Sequence, residues 1–485
     1  MPIRRGEEYL ESLRDGRRLW LIGQRVDDVT THPALAGCAR SVAAVYDLQH
    51  DPIHQDLLTM PSPTMGERVS LAYLLPHSVD ELARQRQMYE FLVRRAGGVA
   101  ARLPQHLATV VIGLYDVRDL LGEADPAFAA HVTRYVEYCR EHDVSIATIF
   151  TDPLHHRNHP TTDQEHLQVV EQRPDGLIVR GARGVGTQAP YANELLCLTS
   201  PRPDLRPEEV IFFATPVNVE GIHLVCRQPL TPLNPEDHPL SPYWDEMDAI
   251  VVFDNVFIPW ERVFYLRRSH PADLAFEARV FQGAIGLGPW YVLVRMAVKA
   301  EVLLGLCAAI TDTLGTASQP LVQMALADAM VYLETLRALI QAAEANPVNS
   351  PSGLALPDPT RALAARICAI ERYPQLLQSI RELCGSGLLM APGQADLNHP
   401  EIGPHLHRYV VGTDHGGPEY FRLLKLAWEY ACDAFGSRQL LFEMYNVSSL
   451  ATNKQRLASA YDTSPFVALA KELAGITGPV GPRGE

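Results

Sequence analysis

The sequence predicts an α+β chain laid out as an N-terminal helical domain, a central β-barrel domain and a C-terminal four-helix bundle. Three observations predict it. Residues 78–142 carry helical periodicity with clear start signals. From 144 to about 265, short apolar runs bounded by Gly and Pro take over. From about 273 to 445, long apolar-periodic stretches return with almost no breakers. The boundaries read from these changes are 1–143, 144–270, 271–450 and a tail, 451–485, expected to be partly mobile.

Taken in order, residues 6–14 read as a short helix, followed by a turn at Asp15-Gly16 and a strand at 19–22. Residues 32–48 read as a helix that ends near His50-Asp51-Pro52. Ser78-Val79-Asp80-Glu81 matches the S-x-x-E capping box ahead of a helix to Arg95. Asp125-Pro126 opens another, running to about His142. Strands are expected at 146–150, 177–179, 195–198, 210–214, 223–226 and 249–253, separated by turns such as Arg173-Pro174-Asp175-Gly176 and a Gly-rich turn at 181–186. Their spacing suggests a small barrel or sandwich. Helices follow at 293–313, with Gly305 the one breaker, then at 321–345, 358–384 and 417–435. Residues 385–416 read as a loop rich in Gly, Pro and His.

Composition narrows the function classes. With 47% hydrophobic and 20% charged residues, the chain has a large core and little disorder. A net charge of −15 with no basic stripe argues against nucleic acid. The eight scattered cysteines form no C-x-x-C pair and read as reduced thiols of a cytoplasmic protein. The charged N-terminus lacks the apolar stretch of a signal peptide, and no apolar run is long enough to span a membrane. Residues 181–186 (GARGVG) are not a G-x-G-x-x-G opening a helix, so a Rossmann NAD site is not expected. His155, His156 and His159 lack a carboxylate at ligand spacing, so no metal is expected.

The central stretch 144–200 concentrates polar residues at strand ends: Asp152-Pro153 with His155, His156 and Arg157, then Thr187, then Thr199-Ser200. Segments along nearly the whole chain give these a context. RRGEEYLESLRDGRRLWLIGQRVDDVTTHPAL, CREHDVSIATIFTDP, QRPDGLIVRGAR, APYANELL, FDNVFIPWERVF and FGSRQLLFEMY together resemble the oxygenase component of the two-component 4-hydroxyphenylacetate 3-monooxygenases. The resemblance implies an acyl-CoA dehydrogenase-like fold and a homotetramer. It also implies reduced FAD supplied by a separate NAD(P)H:flavin reductase, and an aromatic substrate hydroxylated by the C4a-hydroperoxide that reduced flavin forms with O₂.

Carried over position by position, the resemblance assigns His155, His156, Arg157, Thr187, Gly436, Ser437, Arg438 and Gln439 to the cofactor, the last four reaching it from a neighbouring subunit. Arg157 and Arg438 have the forked donors that suit a diphosphate. The substrate side departs from the family. Its G-R-x-P-D-Y segment is here Ala101-Arg102-Leu103-Pro104-Gln105-His106, so the arginine stays and the tyrosine becomes His106. The strand histidine becomes Thr148, and Thr199-Ser200 match a small-hydroxyl pair. Arg102, His106 and Thr148 are the expected catalytic residues, with Arg102 stabilising a phenolate, His106 replacing the missing base, and Thr148 a spacer or weak donor. All three, with Thr199 and Ser200, are expected to bind substrate. Two changed contacts of three point away from plain 4-hydroxyphenylacetate, toward another phenol or a carrier-bound aromatic.

Two other readings share the fold. The first is an acyl-CoA dehydrogenase-like or 4-hydroxybutyryl-CoA dehydratase-like flavoenzyme. The dehydratases hold an iron–sulfur cluster with Cys and His, whereas this chain has no Cys between Cys38 and Cys139 and neither Cys nor His in 281–291. The second is a non-catalytic flavin-binding homologue, which retention of Arg102, Arg157, Thr187 and Ser437-Arg438 argues against.

Overall fold

A computed structural model describes residues 3–152, 166–230, 235–267, 273–411 and 417–476. The N-terminal part contains the helices Gly6–Ser12, Ala36–Leu48, Val79–Arg95, Pro104–Asp116, Arg118–Ala124 and Pro126–Glu141. Their starts follow local chemistry. Ser78 Oγ accepts from Glu81 N at 3.2 Å, and Asp125 Oδ1 accepts from Ala127 N at 2.9 Å. The capping box is not closed in the usual way, since the Glu81 carboxylate takes His77 N at 2.6 Å instead of Ser78 N.

The central region is two open sheets rather than the expected closed barrel. The larger runs in the order Gln24–Val26, Leu19–Leu21, Ile222–Cys226, Asp248–Pro259, Gly176–Thr187, Gln168–Gln172. The smaller runs Val263–Leu266, Ile211–Pro216, Glu194–Leu198, Ile146–Ile149. Two strands of the larger sheet come from the N-terminal part, because Leu19–Leu21 pairs in parallel with Ile222–Cys226. The Gly-rich turn expected at 181–186 is instead the second half of the strand Gly176–Thr187. Its Gly181, at φ +129°, is needed for contact: a Cβ there would sit 2.4 Å from the His166 carbonyl oxygen.

Four helices, Gly288–Thr313, Pro320–Ala345, Pro359–Cys384 and Gly417–Ala431, pack on one another as the C-terminal bundle. The helix expected over 417–435 stops at Ala431, and Asp433 caps a new one, Ala434–Tyr445, by accepting from Gly436 N at 2.8 Å. Within 385–416, expected as loop, the short helices Gly387–Met390, Gln394–Asn398 and Gly403–Leu406 form. The tail forms two further helices, Leu450–Ala460 and Ser464–Leu473. One apolar core runs through the N-terminal helices, both sheets and the bundle. No described helix is long and apolar enough to cross a membrane.

Candidate active site

The segment leading to Arg102 and His106 is pressed onto the bundle. Gly98, at φ +77°, lies where a Cβ would come within 2.7 Å of the Lys299 Cα. The chain then extends through Leu103 and enters the helix Pro104–Asp116 with proline at its first position. This puts His106 in the first turn, 2% exposed. Its Nδ1 lies 2.7 Å from the Ala101 carbonyl oxygen. Its ring stacks on Tyr291, with centroids 3.8 Å apart and planes 14° from parallel. Burial, with Arg102 and Arg295 nearby, holds the imidazole well below its usual pKa, so it is neutral.

Arg102 is tied at both ends. Its backbone N–H donates to Glu246 Oε1 at 2.5 Å, and Nη2 donates to Asn446 Oδ1 at 3.1 Å. Its guanidinium sits 5.7 Å from the Phe442 ring centroid. Burial lowers it to about 10, so it keeps its charge at neutral pH. Arg295, one turn beyond Tyr291, is locked in a forked pair with Glu443, which also takes Lys299 Nζ at 2.5 Å.

A second cluster gathers on 245–248. Asp248 accepts from Arg438 Nε (3.0 Å) and Nη2 (2.7 Å), from Arg227 Nε (2.8 Å) and from Thr187 Oγ1 (2.6 Å). Burial alone would raise this carboxyl, but Arg438 and Arg227 outweigh it and hold it well below the usual range. Glu246, fully buried, faces Arg438 Nη1 at 3.4 Å while holding Arg102 from the other side. One short acidic segment therefore joins the loop of Arg102 and His106 to Thr187 and Arg438.

The expected residues fare differently. Arg102 and His106 come together, and through Glu246 and Asp248 they are joined to Thr187 and Arg438. Thr148 lies on the buried strand Ile146–Ile149, in register with Leu196, and its hydroxyl has no partner among the described residues. Thr199 is buried and accepts from Arg183 Nη2 (2.9 Å) and Ile211 N (3.3 Å), with the Glu209 and Ile211 carbonyls at 3.1 Å. Ser200 is exposed.

Arg438 pairs within the chain with Asp248 and Glu246. Gln439 is buried and accepts from Lys299 Nζ at 3.1 Å. Gly436 is required by packing, since a Cβ would lie 2.6 Å from two carbonyl oxygens of the preceding helix. Ser437 is exposed and donates to the Asp433 carbonyl at 2.8 Å. His155, His156 and Arg157 lie outside the described residues. Away from the site, His238, Glu429 and Asp433 bring ligand atoms within 4.8 Å of one another. Glu429 there already accepts from Leu240 N (2.6 Å), Ser241 N (3.0 Å) and Ser241 Oγ (2.5 Å), as a structural carboxylate does.

Sequence reading missed Glu246, Asp248, Tyr291 and Asn446. A signal existed for the first two, because the acids of Asp245-Glu246-Met247-Asp248 lead into and open a strand that must be half buried.

The family follows from comparison. Models of the 4-hydroxyphenylacetate 3-hydroxylase N-terminal and C-terminal domains match residues 5–265 and 282–475. The chain belongs to the 4-hydroxyphenylacetate 3-hydroxylase family. It is 34% identical to a 4-nitrophenol 4-monooxygenase/4-nitrocatechol 2-monooxygenase oxygenase component of Rhodococcus opacus, over 98% of this chain and 91% of that one. It is 32% identical to a Streptomyces globisporus monooxygenase whose named substrate is a chloro-hydroxyphenyl acyl group on a peptidyl-carrier protein, over 90% of this chain and 84% of that one. The crystal structure of the oxygenase component of 4-hydroxyphenylacetate 3-monooxygenase with FAD superposes at a TM-score of 0.91, with 32% identity, covering 97% of this chain and 98% of that one. An archaeal 4-hydroxybutyryl-CoA dehydratase matches at a TM-score of 0.87 but only 21% identity, which is a likeness of fold.

Proposed function

We propose that the protein is the oxygenase component of a two-component monooxygenase that uses reduced FAD and O₂ to hydroxylate a phenolic substrate, free or carrier-bound. The observation that carries this reading is the pairing of Arg102 with His106, a charged donor beside a neutral imidazole, joined through Glu246 to the Thr187–Arg438 cluster. The names of the relatives support it over the dehydratase reading.

The described residues fit FAD in part. Thr187 gives its proton to Asp248, so its oxygen offers only lone pairs, which suits an N–H on a flavin rim. Ser437 offers an exposed hydroxyl. Arg438 is held by Asp248 and Glu246, which fixes its guanidinium beside Thr187's acceptor Asp248. Reduced FAD, when bound, supplies with O₂ the electrophilic oxygen.

The chain's own residues act on the substrate. Arg102 donates to the phenol oxygen, and His106 Nε2 takes its proton, leaving the electron pair to enrich the ring. Acid–base help of this kind is worth ~10²–10⁴ in rate. Thr148 spaces the ring.

An NAD(P)H:flavin reductase would supply the cofactor. The helix Ser464–Leu473 has no buried residue and leaves Phe466, Leu469 and Leu473 exposed. An apolar face of this kind supports assembly into an oligomer, a homotetramer on the family's pattern. Eight free cysteines suit a cytoplasmic setting.

The test is product analysis. The protein, a generic flavin reductase, FAD and NADH are supplied with a panel of free and carrier-bound phenols. A hydroxylated product that falls at least a hundredfold in His106→Ala supports the reading. Absence of product across the panel, or an unimpaired His106→Ala, refutes it.

A further inference from the structure

We propose that His106 makes this site select phenols that arrive carrying their proton over phenols already ionised. The inference rests on reading Arg102 and His106 as the pair that holds the phenol oxygen.

The tautomer of His106 is set by its carbonyl partner. A carbonyl oxygen can only accept, so Nδ1, 2.7 Å from the Ala101 oxygen, carries the ring's hydrogen. The groups packed on the ring decide whether Nε2 carries a second one. Arg102 and Arg295 are cations, and both disfavour it. Tyr291, stacked on the ring, and Tyr89, edge-on to Tyr291 at 4.9 Å and 80°, are phenols that burial keeps un-ionised. The nearby carboxylates are engaged: Glu443 by Arg295 and Lys299, Glu246 by Arg102 N and Arg438. Nε2 is therefore a bare lone pair, with no partner among the described residues.

The ring is not free to change this. The Ala101 bond and the near-parallel stack on Tyr291 fix its plane and its edge. A tyrosine at this position could turn its O–H toward an anion, but His106 cannot. Only an oxygen that brings its own hydrogen makes the bond to Nε2. A phenolate would set lone pair against lone pair and leave Nε2 unsatisfied in a buried place. Arg102 favours the anion, but its charge is partly offset by the Glu246 carboxylate bonded to its own N–H. The net expectation is roughly ten- to hundredfold weaker binding of the ionised form.

4-Nitrophenol reports its own ionisation, because only the phenolate absorbs in the visible. It is titrated anaerobically into the protein holding reduced FAD, which is pale, across the pH range in which the free ligand ionises. The expected result is loss of the phenolate band on binding, with the ligand's apparent pKa raised by about one to two units. In His106→Gln and His106→Tyr, which offer a donor, that rise should shrink or vanish. A bound ligand that keeps its phenolate band, or a rise unchanged in both variants, overturns the inference while leaving the monooxygenase reading intact. If neither 4-nitrophenol nor 4-methylphenol binds at any pH, the inference is overturned, while the monooxygenase reading is decided by the product panel with its carrier-bound phenols.

Discussion

Arg438 grips the Asp248 carboxylate with both Nε, at 3.0 Å, and Nη2, at 2.7 Å, across 190 residues of chain. A forked pair of this kind fixes both partners in angle as well as distance, which lysine cannot do. The pair binds the helix Ala434–Tyr445 to the start of the strand Asp248–Pro259 and sets Thr187 as an acceptor.

Asp248→Asn should therefore leave Arg438 and Arg227 short of their counter-charge. Breaking a buried pair from one side costs about 3–5 kcal/mol. Chemical denaturation should show a loss of that order, and FAD affinity should fall with it. The carboxyl is held below its ordinary value, so its stabilisation is present above the unfolded pKa of 3.8 and is lost as pH drops through the folded value. The variant should lack that acid-side slope.

Asp143 predicts the opposite slope. It is buried, and burial raises it to about 6 despite bonds from Gln49 and Arg4. The folded state then holds this proton more tightly than the unfolded chain does. The contribution is fully present below pH 3.8 and is lost as pH rises through about 6. Asp143→Asn should be more stable than the parent at pH 7 by about 2–3 kcal/mol, with the difference vanishing near pH 4. Urea midpoints at several pH values would check this.

Tyr291 separates ring from hydroxyl. Its hydroxyl is buried without a partner, while its ring carries His106. Tyr291→Phe should change stability by less than about 1 kcal/mol and leave substrate KM near the parent value. Tyr291→Ala should cost about 3–5 kcal/mol and weaken substrate binding by releasing the imidazole. Thermal denaturation and steady-state kinetics on the pair distinguish the two roles.

Two glycines give contrasting outcomes. Gly113 lies on the helix of His106, where a Cβ would sit 2.2 Å from the Ala284 carbonyl oxygen. Gly113→Ala should destabilise by about 1–3 kcal/mol or more and disturb turnover, because the helix must move. Gly305 is exposed within Gly288–Thr313 and has nothing within 4 Å of such a Cβ. Gly305→Ala should stabilise by about 0.5–1 kcal/mol with activity unchanged.

Local chemistry made much of this molecule legible. Ser78 and Asp125 start helices because short side chains there satisfy free N–H groups, and that need is visible in four residues. The strands at 146–149 and 194–198 follow from apolar runs between turn residues. Arg102 and His106 stood out because they lie four residues apart in one recognisable segment.

By itself, then, the sequence determined the order of helices, sheets and bundle and the family, and it singled out Arg102 and His106 as candidates. Periodicity, caps and motifs are properties of neighbouring residues. Only the tertiary structure decided that Arg438 serves Asp248, that Thr199 is consumed by Arg183, that two N-terminal strands extend the larger sheet, and that His106 is fixed with a bare Nε2. Each depends on a partner far along the chain or on the direction a backbone carbonyl faces. A charged or polar side chain keeps its identity in the sequence, but whether it is free to act depends on which groups folding places against it.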